Sequence, residues 1–372
     1  MTTKYKLGGI GAGGHWYGRL HDFLKDRVEL EKAVGITRFE DKRAILESYG
    51  LTKDRYFQVV VGASLPDAFF EGIDVVHVAS HNQFHEHQTR DCLEHEKVVV
   101  VEKTLAISEE ATENLLRYVR RNGHEGRVAP HVHYLEKALT LTWKNELWSR
   151  ALRDSGRLVR ATGTFIEDVS EEDLRRQWLF KPENGGIFMD WIHPSAMLAH
   201  VAGAHFAECI EATGYVVNPA YDPSNPTGVE ARFALTGKDL APGCTATIRV
   251  GKGFPPGVRF KKMRLEFERG GALDLTFLDT ETEIETGRKG TWVWDFDGQV
   301  EKGRATGPSS YELLVEEMVM MLEGKGSPLV LDEIREIFRP VWITLAALKG
   351  REVIREADAV EGMMKRAIAL VH

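Results

Sequence analysis

The sequence predicts two domains: an α/β domain built on a doubly wound parallel sheet, then an α+β domain with a large, mostly antiparallel open sheet. A length of 372 residues exceeds what one core ordinarily serves. Up to about residue 130, short apolar runs alternate with amphipathic stretches, as in successive βαβ units. Beyond that point, segments alternating apolar and polar residues are separated by turn residues, the pattern of antiparallel strands with one solvated face. The domains are therefore placed at 1–130 and 131–372, with terminal helices able to pack back on the first.

Each element follows from its local pattern. Strands are expected at Tyr5–Ile10, Leu30–Ile36, Val75–Ala79, Val98–Val101 and Arg127–His131, several lacking polar alternation, as parallel strands buried on both faces do. Ser108, followed by two glutamates and a periodic Leu115, Leu116 and Val119, starts a capped helix that ends near Asn122-Gly123. In the second domain, strands are expected within Arg157–Ile166, Arg232–Leu235, Thr245–Val250, Met263–Phe267 and Thr291–Phe296. Asn218–Gly228 and Gly251–Gly257 punctuate them as proline- and glycine-rich loops. Helical spacing returns over Tyr311–Leu322 and Leu331–Ala347.

Composition excludes several functions. Hydrophobic residues at 43% and charged residues at 28% describe a globular chain with ample core material. A formal charge of −8 without long basic runs gives no footprint for nucleic acid. The first residues carry no apolar h-region, and no run is long enough to span a bilayer. Three widely spaced cysteines without a CxxC pattern fit reduced thiols, so a cytoplasmic location is expected.

Gly11-Ala12-Gly13 follows the first expected strand and precedes a helix-like stretch, where a chain must turn tightly and let a pyrophosphate approach its backbone. Gly11, Gly13 and Gly14 are the expected cofactor glycines of a Rossmann domain. Gly9 belongs to the strand, and Gly18 is the candidate helix-packing glycine. At the end of the second strand, where an acidic residue would meet the ribose hydroxyls of NAD, the chain has Thr37 and Arg38. A guanidinium there suits a 2′-phosphate, which favours NADP over NAD; the alternative leaves Arg38 in solvent and turns Glu40 or Asp41 to the ribose.

A wider resemblance rests on Asp74-Val75-Val76-His77-Val78-Ala79-Ser80-His81-Asn82-Gln83-Phe84-His85, then Val98-Val99-Val100-Val101-Glu102-Lys103-Thr104, then Gly185–Pro194. These segments resemble the glucose-fructose oxidoreductase and inositol dehydrogenase (Gfo/Idh/MocA) family, whose pattern is a strand, T-P-N-x-x-H, and a strand ending in E-K-P. The resemblance implies that Lys103 belongs to the chemistry, that Asp190 and His193 assist it, and that Ser80, Asn82, His85 and Glu102 lie at the cofactor. His81 and Thr104 stand where the family has prolines, and Asp190 and His193 are one residue closer than usual. Hydride transfer from an alcohol needs a base for the hydroxyl proton and a cation to steady the alkoxide, and Lys103, just after a parallel strand, suits that need.

His131-Val132-His133-Tyr134-Leu135-Glu136-Lys137 also resembles the H-Y-L-x-K segment of glucose-6-phosphate dehydrogenases. That implies His133 and Lys137 as substrate contacts, with a domain-linking strand as the alternative. Alternate strand residues share a face, so His131 and His133 could in principle join Asp190 and His193 around a metal; without a cysteine cluster or HExxH helix, none is expected. The expected protein is an oxidoreductase acting on a sugar, polyol or sugar derivative and forming a homodimer or homotetramer. A cofactor-binding regulator and a reductase of a non-sugar substrate are the alternatives.

Overall fold

The computed structural model describes residues 4–11, 15–24, 27–168, 186–187, 192–218, 220, 226–326, 331–355 and 357–368. The chain divides into two compact units, Met1–His133 with Ser310–Ile334, and Tyr134–Ser309 with Arg335–His372.

In the first unit, six parallel strands are ordered β3-β2-β1-β4-β5-β6: β1 Tyr5–Ile10, β2 Val28–Gly35, β3 Tyr56–Gln58, β4 Val75–Val78, β5 Val98–Glu102 and β6 Val128–His131. Strand order reverses between β1 and β4, so their carboxyl ends open the crevice at which doubly wound sheets bind ligands. Every residue of β5 is buried, which is why Val98-Val99-Val100-Val101 shows no polar alternation. Apolar residues spaced three and four apart in the helix Ser310–Leu322 cover part of this sheet. Tyr311, Leu314, Val315, Met318 and Val319 join Leu7, Val28, Val75, Val98 and Val100 in one core.

Helix Glu109–Arg121 begins as expected, with Ser108 Oγ accepting a hydrogen bond from Ala111 N at 3.1 Å. Ser108→Ala is expected to lower the unfolding free energy by about 1 kcal/mol, read by urea denaturation, since it leaves an N-terminal amide without its cap.

The second unit holds eight strands in the order β14-β13-β12-β11-β7-β10-β9-β8. They are β7 Leu158–Asp168, β8 His205–Tyr215, β9 Gly228–Thr236, β10 Leu240–Phe254, β11 Phe260–Phe267, β12 Ala272–Phe277, β13 Thr291–Phe296 and β14 Gln299–Arg304. β7 and β10 run parallel, and the other described pairs run antiparallel. Strict alternation along β11 sends Lys261, Met263, Leu265 and Phe267 to the buried face.

Gly251, expected to open a loop, lies inside β10 opposite Gly228 of β9, and a Cβ on Gly251 would stand 3.0 Å from the Gly228 Cα. Two glycines let these strands approach closely, so they extend the pairing where a break was expected. β3, β8, β12 and β14 are additional to the expected strands. Cys92, Cys209 and Cys244 are free thiols. No helix among the described residues is long and apolar enough to cross a membrane.

Candidate functional site

At the switch point of the first sheet, β1 ends in Gly11, whose φ is +81°. A Cβ there would stand 2.6 Å from the carbonyl oxygen of Ala79, so only glycine lets the chain turn beside the end of β4. This turn fits the entrance to a dinucleotide site. Gly13 and Gly14, also expected there, lie outside the described residues.

Beyond β2, Tyr56 donates its hydroxyl to the Thr37 carbonyl at 2.7 Å, which fixes the backbone of that turn. Arg38 is exposed, and its fork is engaged by Asp41, with Nε to Oδ2 and Nη2 to Oδ1 both at 3.0 Å. The carboxylate raises the pKa of the guanidinium, which stays cationic. Thr37 and Arg38 therefore stand together at the strand end, but a 2′-phosphate would have to share or displace Asp41.

Lys103 directly follows β5 at the same carboxyl edge and is only 7% exposed. Of the residues expected at the cofactor, Glu102 immediately precedes Lys103, and His85 lies between the carbonyl oxygens of Thr104 and Ser80. Glu102, 5% exposed, accepts at Oε1 from His131 Nδ1 at 2.8 Å and from His77 Nε2 at 3.3 Å. Burial pushes its carboxyl up, but the two imidazoles outweigh that and hold it well below the usual carboxylate range.

His85, the first residue of helix His85–Glu94, has 0% exposure. Its Nδ1 lies 2.6 Å from the Thr104 carbonyl oxygen and its Nε2 lies 3.0 Å from that of Ser80. Burial lowers its pKa, while the two carbonyls and Glu102 push the other way. His85 has no open surface, and as a neutral ring it carries a single N–H, which the shorter distance places toward the Thr104 carbonyl, tying that loop to the start of its own helix. Ser80 spends its hydroxyl on Gln88 Oε1 at 2.5 Å. Asn82 opens the half-buried turn Asn82–Phe84, and the Lys103–Thr104 peptide bond is cis.

Among the described residues, His77, Glu102 and His131 form the one group of potential metal ligands, with ligand atoms within 4.8 Å of one another. The spacing of two imidazole N–H groups on one carboxylate oxygen already accounts for their convergence. His133 is buried on the same unit, its ring 6.1 Å from that of His131.

The second unit has its own buried polar cluster. His193 opens the helix His193–Ala202 and packs its ring 4.3 Å from that of Tyr134. Asp190 lies outside the described residues, so its pairing with His193 does too. Lys137, expected as a substrate contact, is 0% exposed, with Nζ 3.0 Å from Glu283 Oε1 and 2.9 Å from the Leu278 carbonyl oxygen. Burial pulls its pKa down to about 8 against the upward pull of Glu283, and burial raises that of Glu283 against the pull of Lys137. A wholly buried ammonium already occupied by a carboxylate is not placed to meet a phosphate.

Lys137 Nζ lies 4.8 Å from the centre of the Tyr134 ring, and Lys261 Nζ lies 5.6 Å from it. Lys261 pairs with Glu167 at 2.7 Å and with Asp279. Burial lowers its pKa, but Tyr134, Glu167 and Asp279 together raise it above the ordinary value. Sequence reasoning missed Lys261, Glu167, Asp279 and Glu283. The usable signal was a lysine at the inward position of an alternating strand, in register with Met263 and Leu265.

By sequence, residues 6–129 match a family described as an oxidoreductase family with an NAD-binding Rossmann fold. No curated protein matches by sequence. In fold, the chain is similar to an aldose-aldose oxidoreductase from Caulobacter crescentus complexed with glycerol, at 14% identity and TM-score 0.72, over 94% of this chain and 99% of that one. It is also similar to a 3-ketoreductase from Actinomadura kijaniata in complex with NADP, at 16% identity and TM-score 0.68, over 95% and 100% of the two chains. A third similar structure is a biliverdin reductase from a Synechocystis species in complex with biliverdin and NADP+, at 16% identity and TM-score 0.69, over 93% and 99%.

Proposed function

We propose, from the match of residues 6–129 to the Gfo/Idh/MocA oxidoreductase family, that the protein moves hydride between NAD(P) and a secondary alcohol or ketone of a sugar, polyol or sugar derivative. The observation that carries this reading is a nearly buried lysine at the carboxyl edge of a doubly wound sheet, two strands from the glycine turn at its switch point.

When bound, the nicotinamide supplies the hydride acceptor or donor. Lys103 takes the hydroxyl proton as the carbon–oxygen single bond becomes a carbonyl, and returns it in the reverse direction. As an ammonium it steadies the negative charge on that oxygen. Asp190 and His193 are proposed to assist with the same proton on the strength of the family pattern. Gly11, Gly13, Gly14, Ser80 and Asn82 would line the cofactor, and Thr37 with Arg38 would meet its ribose. Glu102 and His85 are proposed to serve the site through the backbone. His133 keeps a proposed place at the substrate; Lys137 does not.

The aldose activity named for one similar fold supports a carbohydrate substrate, and the 3-ketoreductase named for another supports a ketone as the reduced group. The biliverdin reductase supports the rival reading, a conjugated non-sugar acceptor. A screen of sugars, sugar phosphates, polyols and tetrapyrroles at the nicotinamide absorbance band tests both, and turnover of tetrapyrroles alone would sink the carbohydrate reading. A homodimer or homotetramer is proposed alongside, to be read by light scattering.

NADP is the proposed preference. Arg38→Ala is expected to weaken NADPH binding by about 10- to 100-fold, the worth of one charge-assisted pair, and to leave NADH binding nearly unchanged. Asp41→Asn, which lightens the competing charge on the fork, is expected to tighten NADPH. Fluorescence titration with both cofactors checks this, and equal losses for NADPH and NADH in the Arg38 variant would remove the argument.

A further inference from the structure

The tripeptide Glu102-Lys103-Thr104 is held on both sides of the lysine by buried histidines. On one side, His77 from β4 and His131 from β6 both reach Glu102 Oε1, at 3.3 and 2.8 Å. Strand register explains the convergence: His77 pairs with Val100, two residues before Glu102 on the same face of β5, and His131 pairs with Glu102 itself. On the other side, His85 faces the carbonyl oxygens of Thr104 at 2.6 Å and Ser80 at 3.0 Å. The four side chains are all nine-tenths or more buried, and Tyr311 packs its ring 5.8 Å from that of His131.

We infer that His77, His131, Glu102 and His85 are positioning residues that fix the backbone on either side of Lys103, and so set where its ammonium stands at the sheet edge. Side-chain direction after a strand end follows the backbone of the flanking residues. A carboxylate anchored to both neighbouring strands leaves the residue before Lys103 no freedom to rotate. The Thr104 carbonyl, tied through one imidazole to the loop after β4, fixes the residue behind it. His85 thereby links the lysine loop to the start of the helix His85–Glu94, which follows the Ser80 loop. Misplacing a reacting group by about 1 Å can cost on the order of 100-fold in rate, so such anchoring is sufficient to govern catalysis without touching substrate. The inference rests on Lys103 being the reacting amine, as proposed above.

The test reads Lys103 directly, so it does not depend on finding a substrate. The full-length protein and its Glu102→Leu and His85→Leu variants are treated with acetic anhydride at fixed pH, and acetylation of Lys103 is followed by peptide mass spectrometry with and without NADPH. The expected result is severalfold faster acetylation in both variants, NADPH affinity close to wild type, and, with any substrate found, a kcat lowered by about 100-fold with little change in KM. Glu102→Gln, which keeps an acceptor oxygen for the two imidazoles, is expected to restore most of the wild-type behaviour. It also serves as the test, read as an intermediate acetylation rate, should the leucine variants not fold.

Unchanged Lys103 acetylation in variants that only melt earlier would show the histidines to be ordinary core groups and overturn the inference. Stoichiometric zinc in the purified protein, lost on His131→Phe, would overturn it in favour of a metal centre. A protein whose Lys103 is not shielded by NADPH, yet loosens in these variants, would retain the clamp while losing the enzymatic reading.

Discussion

Lys103→Ala is expected to lower turnover by about 1,000- to 10,000-fold while NADPH still binds, because the side chain lost is the one proposed to exchange a proton with substrate and to steady its oxyanion. The glycine turn at Gly11 and the loop after β4 remain intact, so the backbone proposed to hold the cofactor is unchanged. Stopped-flow reduction of the cofactor and equilibrium fluorescence titration, made on the same preparation, separate the two effects. Lys103→Arg is expected to bind cofactor equally well and to recover little activity, since a guanidinium keeps its proton throughout the accessible pH range. A purely regulatory cofactor-binding protein would lose nothing measurable in either variant, and retained turnover would send the chemistry elsewhere.

Lys137→Met destabilises the second unit by about 3–5 kcal/mol, because it strands the Glu283 carboxylate without its partner in a buried setting. Adding Glu283→Leu is expected to recover most of that loss, since the charge that needed a partner is gone. The sign of the pH dependence follows from the lysine. Its pKa in the folded protein, about 8, lies below the ordinary 10.5. The unfolded chain therefore holds more protons between pH 8 and 10.5, and this residue's contribution to stability rises across that window and is lost again as pH falls back through 8. The double variant lacks that slope. Urea denaturation at pH 7 and pH 10 measures both quantities, and a single variant as stable as wild type would show that water reaches Glu283.

Much of the fold was legible because its strongest signals are local. Four consecutive valines between polar residues can hardly be anything but a strand buried on both faces, and Ser108 caps its helix through its own neighbour. The helix Ser310–Leu322 announces itself by spacing alone. β14 does not: Gln299–Arg304 is an edge strand of mostly exposed polar residues, held by pairing with β13 instead of by apolar periodicity. β8 was hidden for a related reason, since its register shifts interrupt the alternation.

At the candidate site, residue types in the sequence indicate which segments to compare but not which partners their side chains meet. The motif containing His85 and Glu102 lies at the carboxyl edge of the parallel sheet, yet their burial and partners are tertiary facts that spacing does not encode. Lys137 is the clearest case. A lysine at the start of the helix Ala138–Thr142 is ordinarily solvated, and nothing nearby in sequence indicates that Glu283, far along the chain, will enclose it.

The helix Ser310–Leu322 has a consequence for how the chain can be made and cut. The strands of the first sheet are all synthesised by residue 131, but part of the apolar surface over them is sealed only after the whole of Tyr134–Ser309 has followed. A nascent chain must therefore hold greasy sheet surface exposed while the ribosome completes an entire second unit, a situation in which premature association competes with folding. For the same reason no single scission yields both units whole, and the first unit can be isolated as one chain only by splicing residue 133 to residue 310.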